Sequence, residues 1–426
     1  MKRVILLLVI ICLAVAGAGV AWPAWDMFGR THRPMLQGWD DSFYYFWLPS
    51  VVIDHDLDFA NQLAHSGTMD PAMRDLALKL PRTRTGLLDT KYPPGWAIGS
   101  LPFFLLAHLY APPNATGFEP IYLIATWLGQ LLYAAAGLWL AFQIVRRYFP
   151  AHIATIAVLL GWLTSPLVYY QTARLSMSHS QVFVLAMLVF WLALQLNERN
   201  TSARNWILLG FSSALLVVTR NVAVVYLTLP AWVLVRNLRS LESAAWLALG
   251  AAAPIAVQLV SWKILYGSWL AYSYGGERFN FSDLHLVGVL FSPLHGWFYW
   301  HPLLLAGIAA FLVWGWRRAE GRAWAASLLV IVLLDAAWPT WWLGSSFGHR
   351  GFEVPTFFAM IGFAMLLQAS STRLAIRNVL IAIAMLAVVW NLALLTLFLA
   401  QRIPREERVT YSDAGRALAT WVTGER

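Results

Sequence analysis

Charge is what this sequence lacks most. Only 12% of its 426 residues are Asp, Glu, Lys or Arg, while 59% are hydrophobic. A water-soluble domain carries about a quarter charged residues. So little charge cannot cover the water-facing surface of a chain this long, and lipid must take the place of water. Cysteine is nearly absent too. The single Cys12 lies inside the first apolar run, which excludes a disulfide framework and a cysteine metal site. No Walker A sequence and no G-x-G-x-x-G fingerprint occurs, so those nucleotide-binding devices are missing. No internal repeat and no low-complexity segment is visible. The net charge of +9 raises the question of nucleic acid. Lys and Arg nevertheless sit in short clusters between apolar runs, as cytoplasmic anchors do, and nucleic acid is not an expected partner.

Apolar length is what the sequence has in abundance, with a mean hydropathy of +0.60. Runs of about 17–25 apolar residues span a bilayer as helices. Eleven are read here: 4–22, 120–145, 151–170, 179–196, 205–219, 221–235, 243–265, 286–315, 323–341, 352–370 and 378–400. The expected fold class is therefore an all-α polytopic membrane protein occupying the whole chain as one membrane domain. Lys2-Arg3 followed by an apolar run also resembles a signal peptide, but the run reaches Trp22 and is read as an uncleaved first helix. Ser292-Pro293 and His301-Pro302 should break the run 286–315. The 24 Trp and 15 Tyr suit interface belts and sugar-stacking surfaces alike.

The segment 95–110 decides the orientation. It is apolar, but Pro93-Pro94 and Pro112-Pro113 bound it and Pro102 lies within. Read as an interfacial helix, it leaves Arg146-Arg147, Glu198 to Arg204, Arg236 to Arg239, Arg317 to Arg322 and Arg373 to Arg377 on the side of Lys2-Arg3. The positive-inside rule prefers that count, with the N-terminus in and the C-terminus out. Arg402, Arg405 and Arg408 run against it. The hydrophilic loop 23–119 and the loop from Tyr266 to His285 then lie outside, and 401–426 is a short tail.

Ionisable residues at membrane depth are costly and mark function by default. Several fall on the outer side. Gly38-Trp39-Asp40-Asp41-Ser42-Phe43-Tyr44-Tyr45 opens a run to Ile53 that reads as amphipathic. One aspartate suits a helix N-cap; the pair also suits a general base beside a sugar. Asp54, Asp56 and Asp58 alternate with other residues but lack the glycine and terminal glutamate of a Ca²⁺ loop. A solvated turn or a hydrogen-bonded knot is expected there, and no metal. Lys91-Tyr92-Pro93-Pro94 enters the interfacial helix. Lys91 there suits a phosphate as a point charge, or simple snorkelling to the headgroups. Gly344-Ser345-Ser346-Phe347-Gly348-His349-Arg350 allows close backbone approach, and Arg350 suits a phosphate bidentately. Arg174, His179 and Arg220 complete the set, with helix packing as the plain reading of His179. An outward-facing enzyme finds no nucleotide sugars, so its activated substrate should be lipid-linked.

Taken in order along the chain, these features resemble the glycosyltransferase C superfamily, which includes lipid A aminoarabinose transferases and protein O-mannosyltransferases. Asp40-Asp41-Ser42-Phe43-Tyr44 is similar to that family's acidic pair and tyrosine in the first outer loop. Lys91-Tyr92-Pro93-Pro94-Gly95 is similar to its Lys-Pro-Pro-Leu, with a tyrosine inserted. Arg146-Arg147, Met177-Ser178-His179 and Ser292-Pro293-Leu294-His295-Gly296 fit the same pattern. Two departures stand out. The exit of the third helix carries Arg174 and His179 where the family has an acid, and no large C-terminal domain follows the last span.

The resemblance implies inverting, metal-independent and cofactor-free transfer of a sugar from a polyprenyl-phosphate donor. Membrane lipids would be neighbours, and the acceptor would be a glycan, lipid or secreted protein such as a pilin. The place implied is the periplasmic face of a bacterial inner membrane. Asp40 or Asp41 would be the base. Lys91, Arg350, Arg220 and Arg174 would hold the donor phosphate. Tyr44, Tyr45, Tyr92, His349 and His179 would line the sugar and acceptor side. A lipid-linked-sugar flippase or transporter, or a non-catalytic subunit of a glycan-assembly complex, is the alternative. A transporter should show inverted repeats and broken helices at the midplane; one broken helix and no repeat are read here.

Overall fold

A computed structural model describes residues 2–28, 36, 38–65, 71–88, 90–198, 202–237 and 241–424. The loops Glu198 to Arg204 and Arg236 to Arg239 fall partly outside these residues. Among the described residues the architecture is all-α; the one β feature is an isolated bridge between Arg82 and Leu88.

Five described helices are long and apolar enough to cross a membrane: Lys2–Ala21, Pro120–Val145, His179–Glu198, Leu241–Tyr266 and Leu374–Leu399. Shorter apolar helices include Gly95–His108, Ala151–Leu163, Ala203–Thr219, Leu303–Trp316 and Pro355–Ala369. Many apolar side chains on these helices face outward, such as Leu13, Leu132, Leu249 and Leu386. In water that exposure would drive aggregation; in lipid it is the expected solvated surface.

The chain folds into two compact units that alternate along the sequence. One comprises Met1–Ala16, Ala141–Tyr169 and Glu277–Arg426; the other comprises Gly17–Leu140 and Tyr170–Gly276. Each is held by a seam of closely packed helices. In the second unit, a Cβ on Gly210 would sit 2.0 Å from the Leu247 carbonyl oxygen, and one on Gly250 would sit 2.0 Å from that of Ile207. The Ala203–Thr219 and Leu241–Tyr266 helices therefore cross backbone to backbone. In the first unit, Gly362 meets the Gly307 carbonyl so closely that a Cβ would lie at 1.7 Å. That contact joins Pro355–Ala369 to Leu303–Trp316. Small residues at crossings are how membrane helices gain dispersion energy where lipid offers no hydrophobic drive.

Proline and polar turns set the interruptions. The run 286–315 breaks as its prolines require, into Leu286–Phe291, Trp297–Trp300 and Leu303–Trp316. The run 151–170 is also interrupted, because Thr164-Ser165-Pro166 ends the Ala151–Leu163 helix before Leu167–Tyr170. Residues Asn221–Leu227 form a 3₁₀ helix that continues into Thr228–Asn237. The Gly95–His108 helix has 14 residues, a rise of about 21 Å against a hydrocarbon core of about 30 Å. The 401–426 tail contains a further helix, Tyr411–Thr423, started by a reciprocal capping box between Thr410 and Asp413.

The segment expected to be an amphipathic run to Ile53 is different. The Trp39–Pro49 helix is buried on every side from Asp41 onward, and a π turn, Ser50–Asp54, follows it. Its aromatic residues are the reason. Tyr45, Phe46 and Trp47 pack against Trp96, Phe104, Phe118 and Phe59, and Phe43 packs on Phe46 and Tyr92.

Candidate functional site

The Trp39–Pro49 helix places its two acids in its first turn, where the helix dipole favours negative charge. Gly38 is the N-cap and makes no side-chain cap, so neither aspartate is the cap that the sequence allowed. The two side chains diverge by a helical step of about 100°. Asp41 is fully buried; its Oδ2 accepts from Arg174 Nε at 2.9 Å and from Ser176 Oγ at 3.0 Å. Arg174 is itself largely covered, with 13% of its side chain exposed. This buried ion pair ties the first outer loop to the segment after residue 170.

Asp40 is half-buried and is approached by Tyr92, whose hydroxyl donates to Oδ1. Tyr92 packs its ring on Phe43 and edge-on against Tyr44. Its carbonyl accepts from Trp47 Nε1 at 3.2 Å. Lys91, the next residue back, lies over the ring of Tyr274 at 5.7 Å, and its carbonyl accepts from Ser273 Oγ at 3.3 Å. The structure therefore brings Asp40, Tyr44 and Tyr92 together, with Lys91 next to Tyr92 in the chain and Asp41, next to Asp40, held by Arg174.

The other expected residues lie elsewhere. Tyr45 faces the core rather than an acceptor: it is 1% exposed and donates to the Gly117 carbonyl at 2.5 Å. Burial pushes its hydroxyl well above the ordinary tyrosine range, so it stays a neutral donor. The loop it holds is fixed by Glu119, which accepts from the backbone N–H groups of Thr116 and Gly117 at 2.8 and 3.0 Å. Partial burial pushes the Glu119 carboxyl up, but these bonds and the Thr116 hydroxyl outweigh it and hold it below the usual carboxylate range. His179 is buried with its ring 4.1 Å from that of Tyr170. Arg220 ends the Ala203–Thr219 helix, half-buried.

The Asp54 cluster is the expected knot. Ser50 Oγ donates to Asp56, Asp58 N–H to Asp56 Oδ1 at 3.1 Å, and Asn61 and Gln62 to Asp54. Among the described residues, no group of three His, Cys, Asp or Glu side chains is gathered as a metal would need.

His349 and Arg350 belong to the other unit. His349 is fully buried and donates from Nε2 to the Trp341 carbonyl at 2.9 Å; Nδ1 faces the Gly351 N–H at 3.3 Å and Asp335 Oδ2 at 3.7 Å. The tautomer follows from these partners. Arg350 opens a short 3₁₀ turn beside it.

Two features escaped the sequence reading. Asp335 is a buried acid in the apolar part of the Ala319–Ala337 helix, and such residues are expensive enough to be conspicuous. The second is a cleft in the unit of Asp40, with about 230 Å³ of empty space including its open mouth. Trp47, Tyr92, Asn221, Gln258, Trp262 and Tyr266 line it, among others. Gln258 was the available signal, an amide in the apolar run 243–265.

Long lipid-facing helices with polar groups gathered on a first loop define an integral membrane protein. Within that class, the fold is shared with two solved structures. One is ArnT from Cupriavidus metallidurans bound to undecaprenyl phosphate, with a TM-score of 0.52 and 14% identity over 99% of this chain and 74% of that one. The other is the same organism's ArnT in the apo state, with a TM-score of 0.51, 15% identity and the same coverage. The chain thus has an ArnT-like fold. No family profile and no curated protein matches the sequence.

Proposed function

We propose that the protein is a membrane glycosyltransferase that moves a sugar from a polyprenyl-phosphate donor to an acceptor hydroxyl at the periplasmic face of a bacterial inner membrane. The observation that carries this reading is the half-exposed Asp40, set at a helix start beside Lys91 and Tyr92 within an ArnT-like fold. ArnT has been solved with undecaprenyl phosphate bound, which supports a lipid-linked donor here.

Asp40, rather than Asp41, is the base. A base must reach the proton it takes. Asp41 is fully buried and committed to Arg174 and Ser176. Asp40 would accept the proton of the acceptor hydroxyl as that oxygen attacks the anomeric carbon from the face opposite the phosphate, giving inversion. The glycosidic C–O bond to phosphate breaks, and polyprenyl phosphate leaves with the electron pair. Lys91 meets the charge developing on that phosphate. Tyr92 orients the Asp40 carboxylate. The reading rests on this unit's residues alone. The acceptor is a glycan, a lipid or a secreted protein.

Transfer from a panel of polyprenyl-phosphate sugars, followed by mass spectrometry, tests it. Asp40→Asn should fold normally and lose on the order of 10²–10⁴-fold in kcat. Full activity of Asp40→Asn removes the base assignment, and full activity of both Asp40→Asn and Asp41→Asn removes the enzyme reading. If well-folded protein consumes no donor, a lipid-linked-sugar transporter takes its place.

A further inference from the structure

We propose that Arg146, Arg147, Arg317, Arg318 and Arg322 form a site for the headgroup of an anionic phospholipid. All five belong to the unit that holds Ala141–Tyr169 and Glu277–Arg426. The site does not depend on the proposed sugar transfer and would outlast its failure.

Two turns carry the cluster. Arg146 and Arg147 follow directly on Val145, where a helix ends. Arg317, Arg318 and Arg322 lie where Leu303–Trp316 gives way to Ala319–Ala337. Gly315 and Gly321 make that second turn tight, since a Cβ on Gly321 would sit 2.4 Å from the Gly315 Cα. Tyr148 and Trp314 join the two turns, with their rings edge-on at 5.0 Å. The Arg318 guanidinium lies over both rings, 4.9 and 5.0 Å from their centroids, well inside the reach of a cation–π contact. Glu320 closes the seam. It accepts from the Tyr148 hydroxyl at 3.1 Å and stands 3.9 Å from Arg318 Nη1. Arg322 Nη1 donates to the Trp316 carbonyl at 3.1 Å.

Charge, rigidity and depth point to a lipid phosphate. One carboxylate serves five arginines across these turns, and it is mostly covered, whereas 44% of the Arg318 side chain is exposed. Arg146, Arg317 and Arg322 are exposed as well. Basic pockets at helix ends attract anionic headgroups for this reason. An arginine that merely snorkels needs no clamp. Arg318 has one, and a guanidinium fork already held between two rings gives up little freedom on meeting a phosphate bidentately. The neighbours fix the depth. Leu312 and Val313 are exposed, and Trp316 is 77% exposed. Aliphatic side chains suit the hydrocarbon, and a tryptophan beyond them suits the headgroup boundary, so the arginines stand where phosphates lie. A soluble acidic partner would leave those apolar side chains in water.

The test titrates the full-length protein, in a neutral detergent, with phosphatidylglycerol or phosphatidylcholine and counts bound lipid by native mass spectrometry. Phosphatidylglycerol should bind more tightly, and added salt should erode the difference. Arg317→Gln with Arg322→Gln should weaken its binding roughly 10–30-fold. Both side chains are exposed, so the thermal midpoint without lipid should stay at the parent's. Arg204→Gln with Arg236→Gln removes the same charge from the other unit and should leave the tight site intact. Arg318→Lys keeps the charge but loses the planar fork, and should bind severalfold more weakly. Equal binding of the two lipids, equal losses from the two double variants, or full affinity in Arg318→Lys overturns the proposal. So does displacement of the lipid by inorganic phosphate, which would mark a site for soluble anions.

Discussion

Each unit buries a carboxylate beside a basic ring or fork, and the two arrangements are not alike. Asp41 and Arg174 meet at 2.9 Å across 133 residues of sequence, with Ser176 as a second donor. Asp335 and His349 lie at 3.7 Å, beyond hydrogen-bond length, and the imidazole turns its Nε2 to a backbone carbonyl instead. The first is an ion pair that fastens distant segments. The second is a carboxylate close against backbone: a Cβ on Gly351 would stand 2.0 Å from Asp335 Oδ2. Two buried acids can therefore carry unequal shares of their unit's stability.

Arg174→Leu breaks the stronger member of this comparison. It leaves a fully buried carboxylate without its cation, and should cost about 3–5 kcal/mol, read as a large drop in thermal midpoint in detergent. Asp41→Asn with Arg174→Gln should recover much of it. His349→Leu should cost less, about 1–3 kcal/mol, since its contact with Asp335 is loose. Equal losses in the two single variants would erase the distinction. Asp40→Asn sharpens the contrast between neighbouring acids. Its stability should change by about 0.5–1.5 kcal/mol, the scale of one hydrogen bond to Tyr92, whereas Asp41→Asn should unfold far more readily. The smallest effect concerns Glu119. Its carboxyl is held below the ordinary range, so its contribution is present above that range and fades as pH falls through the lowered value. The stability gap between the parent and Glu119→Gln should close on acidification, and a gap that widens would reverse the sign.

Much of this fold was legible because membranes leave few options. Apolar length marked the long helices, and Ser292-Pro293 and His301-Pro302 marked the broken one. The site was less so. Asp40 and Asp41 are adjacent in sequence, and only the helix rotation that turns one toward Arg174 and the other toward Tyr92 separates their duties. Tyr45 looked equivalent to Tyr44 until the packing of Phe104 and Gly117 fixed its direction. Asn221, Gln258 and Trp262 come from separate runs, and no local pattern announces that they face one cleft. Asp335 and Gln258 share the signal that was available, a polar side chain in an apolar run.

The interleaving of the units has a consequence for biosynthesis. The unit that opens at Gly17 is not finished until Gly276 has been made, and the unit that begins with the first sixteen residues waits for the stretch after Glu277. Domains usually fold one after another as the chain emerges. Here the ribosome must pass Tyr170 before Arg174 can reach Asp41, and must deliver almost two thirds of the polypeptide before the unit is complete. Until Arg174 arrives, Asp41 stands on a tethered segment with its charge uncovered. A translation pause or a truncation between Leu140 and Tyr170 would therefore strand both units together, and a holding chaperone or insertase would meet the acidic pair before Arg174 does.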